Sequence, residues 1–144
     1  MIAIIILALL TNTIDELTIS KKDVITDLKY IDVNLKDDFE ISNNKVTGMP
    51  ERIQETEIQI TQNDKDRLIS EIKNSVNFKS FANELEIAND NDTEQFGTSG
   101  KIFNFKYPSF YSRETYAIID NIPTRLFVTI YDDTKTLKYQ RVED

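Results

Sequence analysis

The chain has 144 residues, with 25 Asp and Glu against 17 Lys and Arg, no Cys, no His and no Trp, and a formal charge of -8 at pH 7. That length fits one domain with a real hydrophobic core. The missing thiol and imidazole exclude disulfides, thiolate nucleophiles, histidine bases and the usual zinc ligands, and the acidic surplus repels a phosphate backbone, so nucleic acid is not an expected partner.

The first ten residues, Met1 to Leu10, form an uncharged apolar run ahead of an acidic body. A secretory h-region takes about 7–15 apolar residues and a membrane-spanning helix about 20, so the run reads as a signal peptide over 1–13, cleaved near Thr13. The expected localisation is export, periplasmic or extracellular. No Lys or Arg precedes the run, and Thr11-Asn12-Thr13 is not an A-x-A box. Two alternatives therefore stay open: an uncleaved hydrophobic anchor, the leader being the only membrane contact, and a buried strand or helix of a cytoplasmic protein.

Residues 14–27 are polar and read as a tether or a short helix, because Ser20-Lys21-Lys22-Asp23 forms an S-x-x-D box ahead of Val24, Ile25 and Leu28 at helical spacing. A single domain is expected over 28–144. Ile31, Val33 and Leu35 alternate with Asp32, Asn34 and Lys36, which predicts a half-buried strand. A second strand follows at Phe39–Ser42, closed by a turn at Ser42-Asn43-Asn44. After Gly48-Met49-Pro50, Thr56, Ile58 and Ile60 oppose Glu55, Glu57 and Gln59, predicting a third strand.

Thr61-Gln62-Asn63-Asp64 is a T-x-x-D start, and Leu68, Ile69, Ile72 and Val76 form one helical stripe. Phe78, Phe81, Ala82 and Leu85 resume it in a shifted phase, so one helical segment is predicted over Thr61–Leu85, kinked at Ser75–Asn77. Residues 88–100 read as an exposed loop. Beyond it, runs at Ile102–Tyr107, Tyr116–Ile119, Leu126–Tyr131 and Leu137–Val142 predict an antiparallel meander. Nine of the 14 aromatics lie between Phe103 and Tyr139, so this third is expected to supply most of the core. The fold class is α+β: an antiparallel sheet of about six or seven strands with the long or kinked helical segment on one face.

Asp90, Asp92 and Glu94 alternate like the opening of a calcium loop, but Gln95 stands where Gly is needed and Lys101 where a bidentate Glu closes the site. They read as a solvated acidic loop. The couples Asp37-Asp38, Asp132-Asp133 and Glu143-Asp144 fall at turns or the terminus, where exposure leaves carboxylates unsuited to proton transfer at neutrality. With three Gly in the chain there is no phosphate-cradling loop. No catalytic residue, cofactor or metal site is assigned, and the protein is not expected to be an enzyme. The densest functional stretch is Lys106 to Arg113, where rings and cations interleave. Partner contact is expected at Tyr107, Phe110, Tyr111 and Arg113 and at the loop residues Asp90, Asp92 and Glu94, against the competing reading that Phe103, Phe105 and Tyr107 belong to the core.

These features point to a small exported, non-enzymatic binding or structural protein of the cell envelope, its partner a protein or a small ligand. The alternative is an intracellular acidic interaction module, of the inhibitor or immunity type, that covers a basic protein surface. Export predicts that N-terminal sequencing of the protein from its fractionated host returns a chain starting after about Thr13. Intact Met1 on a cytoplasmic species is the contrary result.

Overall fold

Residues 13–14 and 16–18 are helical, and Ser20 caps the helix that follows them. In the computed structural model, which describes residues 13–14, 16–48, 51–83 and 100–144, α1 spans Lys21–Lys29 behind a complete capping box. The Ser20 hydroxyl accepts from the Asp23 backbone at 3.3 Å, and the Ser20 backbone donates to the Asp23 carboxylate at 2.9 Å. The helix buries Val24 and Leu28 and leaves Ile25 exposed. The expected leader and the loop carrying Asp90, Asp92 and Glu94 lie outside the described residues.

The strand expected at 28–36 is absent. Leu28 is in the last turn of α1, whose carbonyl accepts from Ile31 and Val33, and Asp32 takes a left-handed φ of 54°. Ile31 and Val33 are buried while Asp32 and Asn34 are exposed, as the alternation requires. Alternation reports which side chains of an extended segment face inward; it does not supply a ladder partner.

The partner here is a helix start. α2 spans Gln62–Lys73 behind its N-cap Thr61, and its residue Asp64, 2 % exposed, accepts from the backbone N–H groups of Lys36 at 3.1 Å and Asp37 at 3.0 Å. Arg67 donates to Asp64 at 2.5 Å and to the Asn34 carbonyl, while Thr61 donates to Asp37 at 2.5 Å. Burial pushes the Asp64 carboxyl up, but hydrogen bonds from Arg67, Asp37 and Lys36 outweigh it and hold the group below its ordinary value.

α2 is shorter than predicted. It ends at Lys73 with Asn74 as C-cap, and Val76 is fully exposed. The continuation is not helix but a three-residue strand, β3 (Phe78–Ser80), because the Asn77 amide donates to the Ile102 carbonyl and accepts from Asn104 at 3.0 Å, diverting the chain onto a sheet edge. Leu85 lies outside the described residues.

Seven strands form one sheet: β1 (Glu40–Thr47), β2 (Arg52–Gln59), β3, β4 (Ile102–Tyr107), β5 (Phe110–Ile119), β6 (Ile122–Tyr131) and β7 (Thr136–Glu143). Their order is β1-β2-β7-β6-β5-β4-β3, antiparallel throughout except for the parallel pair β3 and β4. The fold is therefore α+β, with the predicted meander as β4 to β7. The turn expected at Ser42-Asn43-Asn44 is instead a bulge inside β1, between Ile41 and Asn43. The separator expected at Asn121-Ile122-Pro123 is a two-residue turn one step earlier. Asp120 and Asn121 take φ of 51° and 66°, the left-handed pair a tight hairpin needs, and Ile122 and Pro123 enter β6.

Register assigns two faces. Tyr111, Ile119, Leu126, Val128, Ile130, Leu137, Tyr139 and Ile58 face α1 and α2, where Val24, Leu28, Leu68 and Ile72 complete the core. Phe103, Phe105 and Tyr107 of β4 and Phe110 and Tyr131 of the next strands point the other way as one chain of rings, with centroids 4.7–6.3 Å apart. The last third thus contributes mostly aliphatics to the helix-covered core. The aromatic count overstated its share because strand parity sends most rings to the opposite face.

Two outcomes follow. Ile72→Ala lowers unfolding free energy by about 2–5 kcal/mol, and Lys73→Ala, which loses only a cation–π contact to Tyr111 at 5.2 Å, by less than about 1 kcal/mol; denaturation midpoints compare them. Because the folded Asp64 carboxyl titrates lower than in the unfolded chain, its contribution is present above the ordinary carboxylate range and lost as pH falls through it. Asp64→Asn costs about 1–3 kcal/mol at pH 7, and the gap to the native chain closes below about pH 4 in pH-dependent urea melts.

Candidate functional site

Along the paired strands β2 and β7, the face toward the helices changes character stepwise. Ile58 pairs with Leu137, Thr56 with Tyr139, Gln54 with Arg141 and Arg52 with Glu143. The four steps on β2 run from apolar through neutral polar to charged. The α1 residues Asp23, Thr26 and Asp27, preceded by Thr18 and Ile19, close the opposite wall of a cavity of about 430 Å³.

Its charges are paired across elements. Glu143 forms ion pairs with Arg141 at 2.7 Å and with Arg52 at 3.5 Å, and Arg141 Nη1 donates to Asp27 at 3.4 Å. The side chains of Asp27, Arg141 and Glu143 are only 13–15 % exposed. Burial raises the Asp27 carboxyl and Asp23 adds to it, with the Arg141 charge opposing. Burial likewise pushes the Tyr139 phenol up, reinforced by Asp27, so the hydroxyl keeps its proton at neutral pH. Among the described residues, three buried side-chain donors have no hydrogen-bond partner: the Tyr139 hydroxyl and Arg141 Nε on this face, and Arg125 Nε on the opposite face of the sheet. Buried donors of that kind are uncommon and mark places where another acceptor is needed.

Beside the cavity, Asn44 accepts from Thr56 at 2.7 Å, fixing the β1–β2 wall, and Glu16 accepts from the Val46 backbone at 2.8 Å on the outer edge of β1. The arrangement is suited to holding a small polar molecule between guanidinium and carboxylate groups.

The contact residues read from the sequence do not form one patch. Tyr107 and Phe110 stack at 4.7 Å on the aromatic face. Tyr111 and Arg113 point to the helix-covered face, 8 % and 6 % exposed. Arg113 is a buried tie: Nε donates to Asn104 at 2.9 Å and Nη1 to the Asp32 carbonyl at 2.6 Å. The correction follows from strand parity, which separates neighbours in the Tyr107–Arg113 stretch onto opposite faces. Asp90, Asp92 and Glu94 lie outside the described residues.

Of the carboxylate couples, Asp38 pairs with Lys21 at 2.6 Å and Asp132 with Lys106 at 2.5 Å, both well exposed. Glu143, expected to be exposed near the terminus, is instead a wall of the cavity. The sequence reading missed Asp27, Arg52, Gln54, Tyr139 and Arg141. Their one signal was polar residues at alternate positions, Arg52-x-Gln54 and Arg141-x-Glu143, at inward-facing strand positions. Among the described residues, no group of three or more potential ligands is placed to hold a metal ion, and no helix is long and apolar enough to cross a membrane.

Comparison of the chain with protein-family models, with curated proteins and with solved structures finds no match.

A second buried acid lies on the aromatic face. Glu114 of β5, 8 % exposed, faces Phe103 and Phe127 across the strands and accepts from Ser112 at 2.7 Å and Tyr107 at 3.5 Å. Burial raises its carboxyl, with those two donors opposing. A folded value above the unfolded one means that stability declines as pH rises through the folded value. Glu114→Gln is therefore neutral or stabilising at pH 7, and its advantage grows between about pH 4 and pH 7 when the two unfolding curves are measured in parallel.

Proposed function

We propose that this chain is a non-enzymatic binding protein of the cell envelope, and that the charged cavity between α1 and the β2–β7 pair is its ligand seat. One observation carries the reading: Arg141 Nε, a buried donor with no partner in the protein, belongs to a side chain that lines an open cavity walled by charged groups, and the unpartnered Tyr139 hydroxyl lies two residues along β7 on the same face. Pockets that bind small molecules combine a formed concavity with a few convergent polar groups. Export rests on the h-region length of the first ten residues, and the non-enzymatic reading on the absence of His and Cys.

The second reading, an intracellular acidic module that covers a basic partner, rests on the net charge of -8.

A thermal-shift screen of the purified chain against small polar compounds at pH 7 separates the two. A ligand present at about 100 times its Kd adds about 2.7 kcal/mol, a rise of several degrees in Tm. The shift disappears in Arg141→Gln, with Thr26→Ala as a milder cavity variant. A flat screen, together with salt-sensitive capture of a basic protein by the native chain, decides for the second reading.

A further inference from the structure

Three carboxylates, Asp23, Asp27 and Glu143, face two guanidiniums, Arg52 and Arg141, across the cavity. Glu143 is committed, since one oxygen takes Arg141 and the other Arg52. Asp23 spends Oδ2 on the capping box at Ser20 and is otherwise exposed. The weak member is Asp27. Its single contact to Arg141 is 3.4 Å, whereas Glu143 holds Arg141 at 2.7 Å with a second contact to Arg52 at 3.5 Å, and Asp27 comes from a helix rather than from the sheet that carries the arginine.

The unmet needs of the site are specific. Arg141 Nε, in the cavity wall, and the Tyr139 hydroxyl, two residues away on the same face of β7, 1 % exposed and outside that wall, lack an oxygen acceptor. The α1 wall offers carboxylate oxygens that accept from a cationic donor. A simple anion meets an excess of one negative charge in the cavity and -8 on the chain. A simple cation leaves both buried donors unpaired.

We propose that the cavity binds a small zwitterion, a molecule carrying a carboxylate and an ammonium a few bonds apart, such as an α-amino acid or a betaine. This rests on the reading of the cavity as the ligand seat. The ligand carboxylate displaces Asp27 from Arg141 and takes up hydrogen bonds from the guanidinium and from Tyr139. The released Asp27, with Asp23 one helical turn before it, receives the ammonium. The net charge of the cavity is unchanged, Arg141 and Asp27 each keep an opposite charge, and the two orphaned donors gain the acceptor that the protein does not provide.

The test is isothermal titration of the full chain at pH 7 with glycine betaine and L-alanine, alongside propionate, ethylammonium and glycerol. At least one zwitterion binds tenfold or more tightly than propionate or ethylammonium. Tyr139→Phe removes one hydroxyl and no packing; it weakens the zwitterion at least fivefold while Tm is unchanged or higher, since an unpartnered group is lost. Asp27→Asn weakens it with little effect on glycerol. Equal affinity for a zwitterion and its single-charge halves, or native affinity in Tyr139→Phe, overturns the proposal. Binding of glycerol or ethylammonium alone, lost in Arg141→Gln, overturns the zwitterion and keeps the cavity as a ligand seat. Silence from every probe and in the wider compound screen overturns both.

Discussion

Among the described residues, α1 and α2, with a few helical residues ahead of Ser20, have to cover one face of a seven-stranded sheet, and they are too small to do it. At 1.5 Å per residue, α1 and α2 are ~13 and ~18 Å long, while the sheet is ~29 Å wide and its longer strands ~33 Å from end to end. The covered region can be apolar, and it is: Val24, Leu28, Leu68 and Ile72 lie on Ile58, Leu137, Val128 and Ile130. The partly covered corner, at the far ends of β2 and β7, borders the open cavity and must be compatible with water. The progression from Ile58 and Leu137 to Arg52 and Glu143 is the direct result. The cavity is the place where the helical cover stops.

Where it stops is set by polar anchors, because the apolar face alone does not fix a helix along the sheet. Asp64 ties the start of α2 to the backbone at Lys36 and Asp37, and Lys65 donates to the carbonyls of Asp132 at 2.8 Å and Thr134 at 2.5 Å in the β6–β7 turn. Since residues 31–37 follow directly from α1, the same clamp holds both helices. Arg113 adds a third tie, from β5 to the Asp32 carbonyl. Each anchor satisfies backbone groups that no strand or helix ladder reaches. The cavity is less complete in this respect: Arg141 Nε in its wall and the Tyr139 hydroxyl next to it on β7 have no acceptor in the protein.

The opposite face of the sheet obeys another rule. β4 to β6 place a row of rings there, with Glu114 and Ser112 among them, whereas β2 and β7 place ionic groups there, such as Glu55 and Lys138 at 2.8 Å. The aromatic stretch that looked most functional in the sequence is divided between the two faces. Its buried half, Tyr111 and Arg113, serves the core and the helix anchors.

The sequence by itself determined the local events: the Ser20 and Thr61 helix starts, the period-two strands of the last third, the burial of Ile72, and the α+β class. Those follow from interactions among near neighbours, which spacing encodes directly. It overextended α2, because Phe78 and Phe81 match a helical stripe until Asn77 meets the Ile102 carbonyl, 25 residues away. It placed a strand at Ile31–Leu35, because an extended segment held by Asp64 alternates like a ladder strand. The cavity was decided only in three dimensions. Asp27, Arg52 and Arg141 are far apart along the chain, and each looks like an ordinary surface charge until the β2–β7 register and the end of α1 bring them together. Charge pairing at that distance has no period and no motif, so only the tertiary arrangement reveals it.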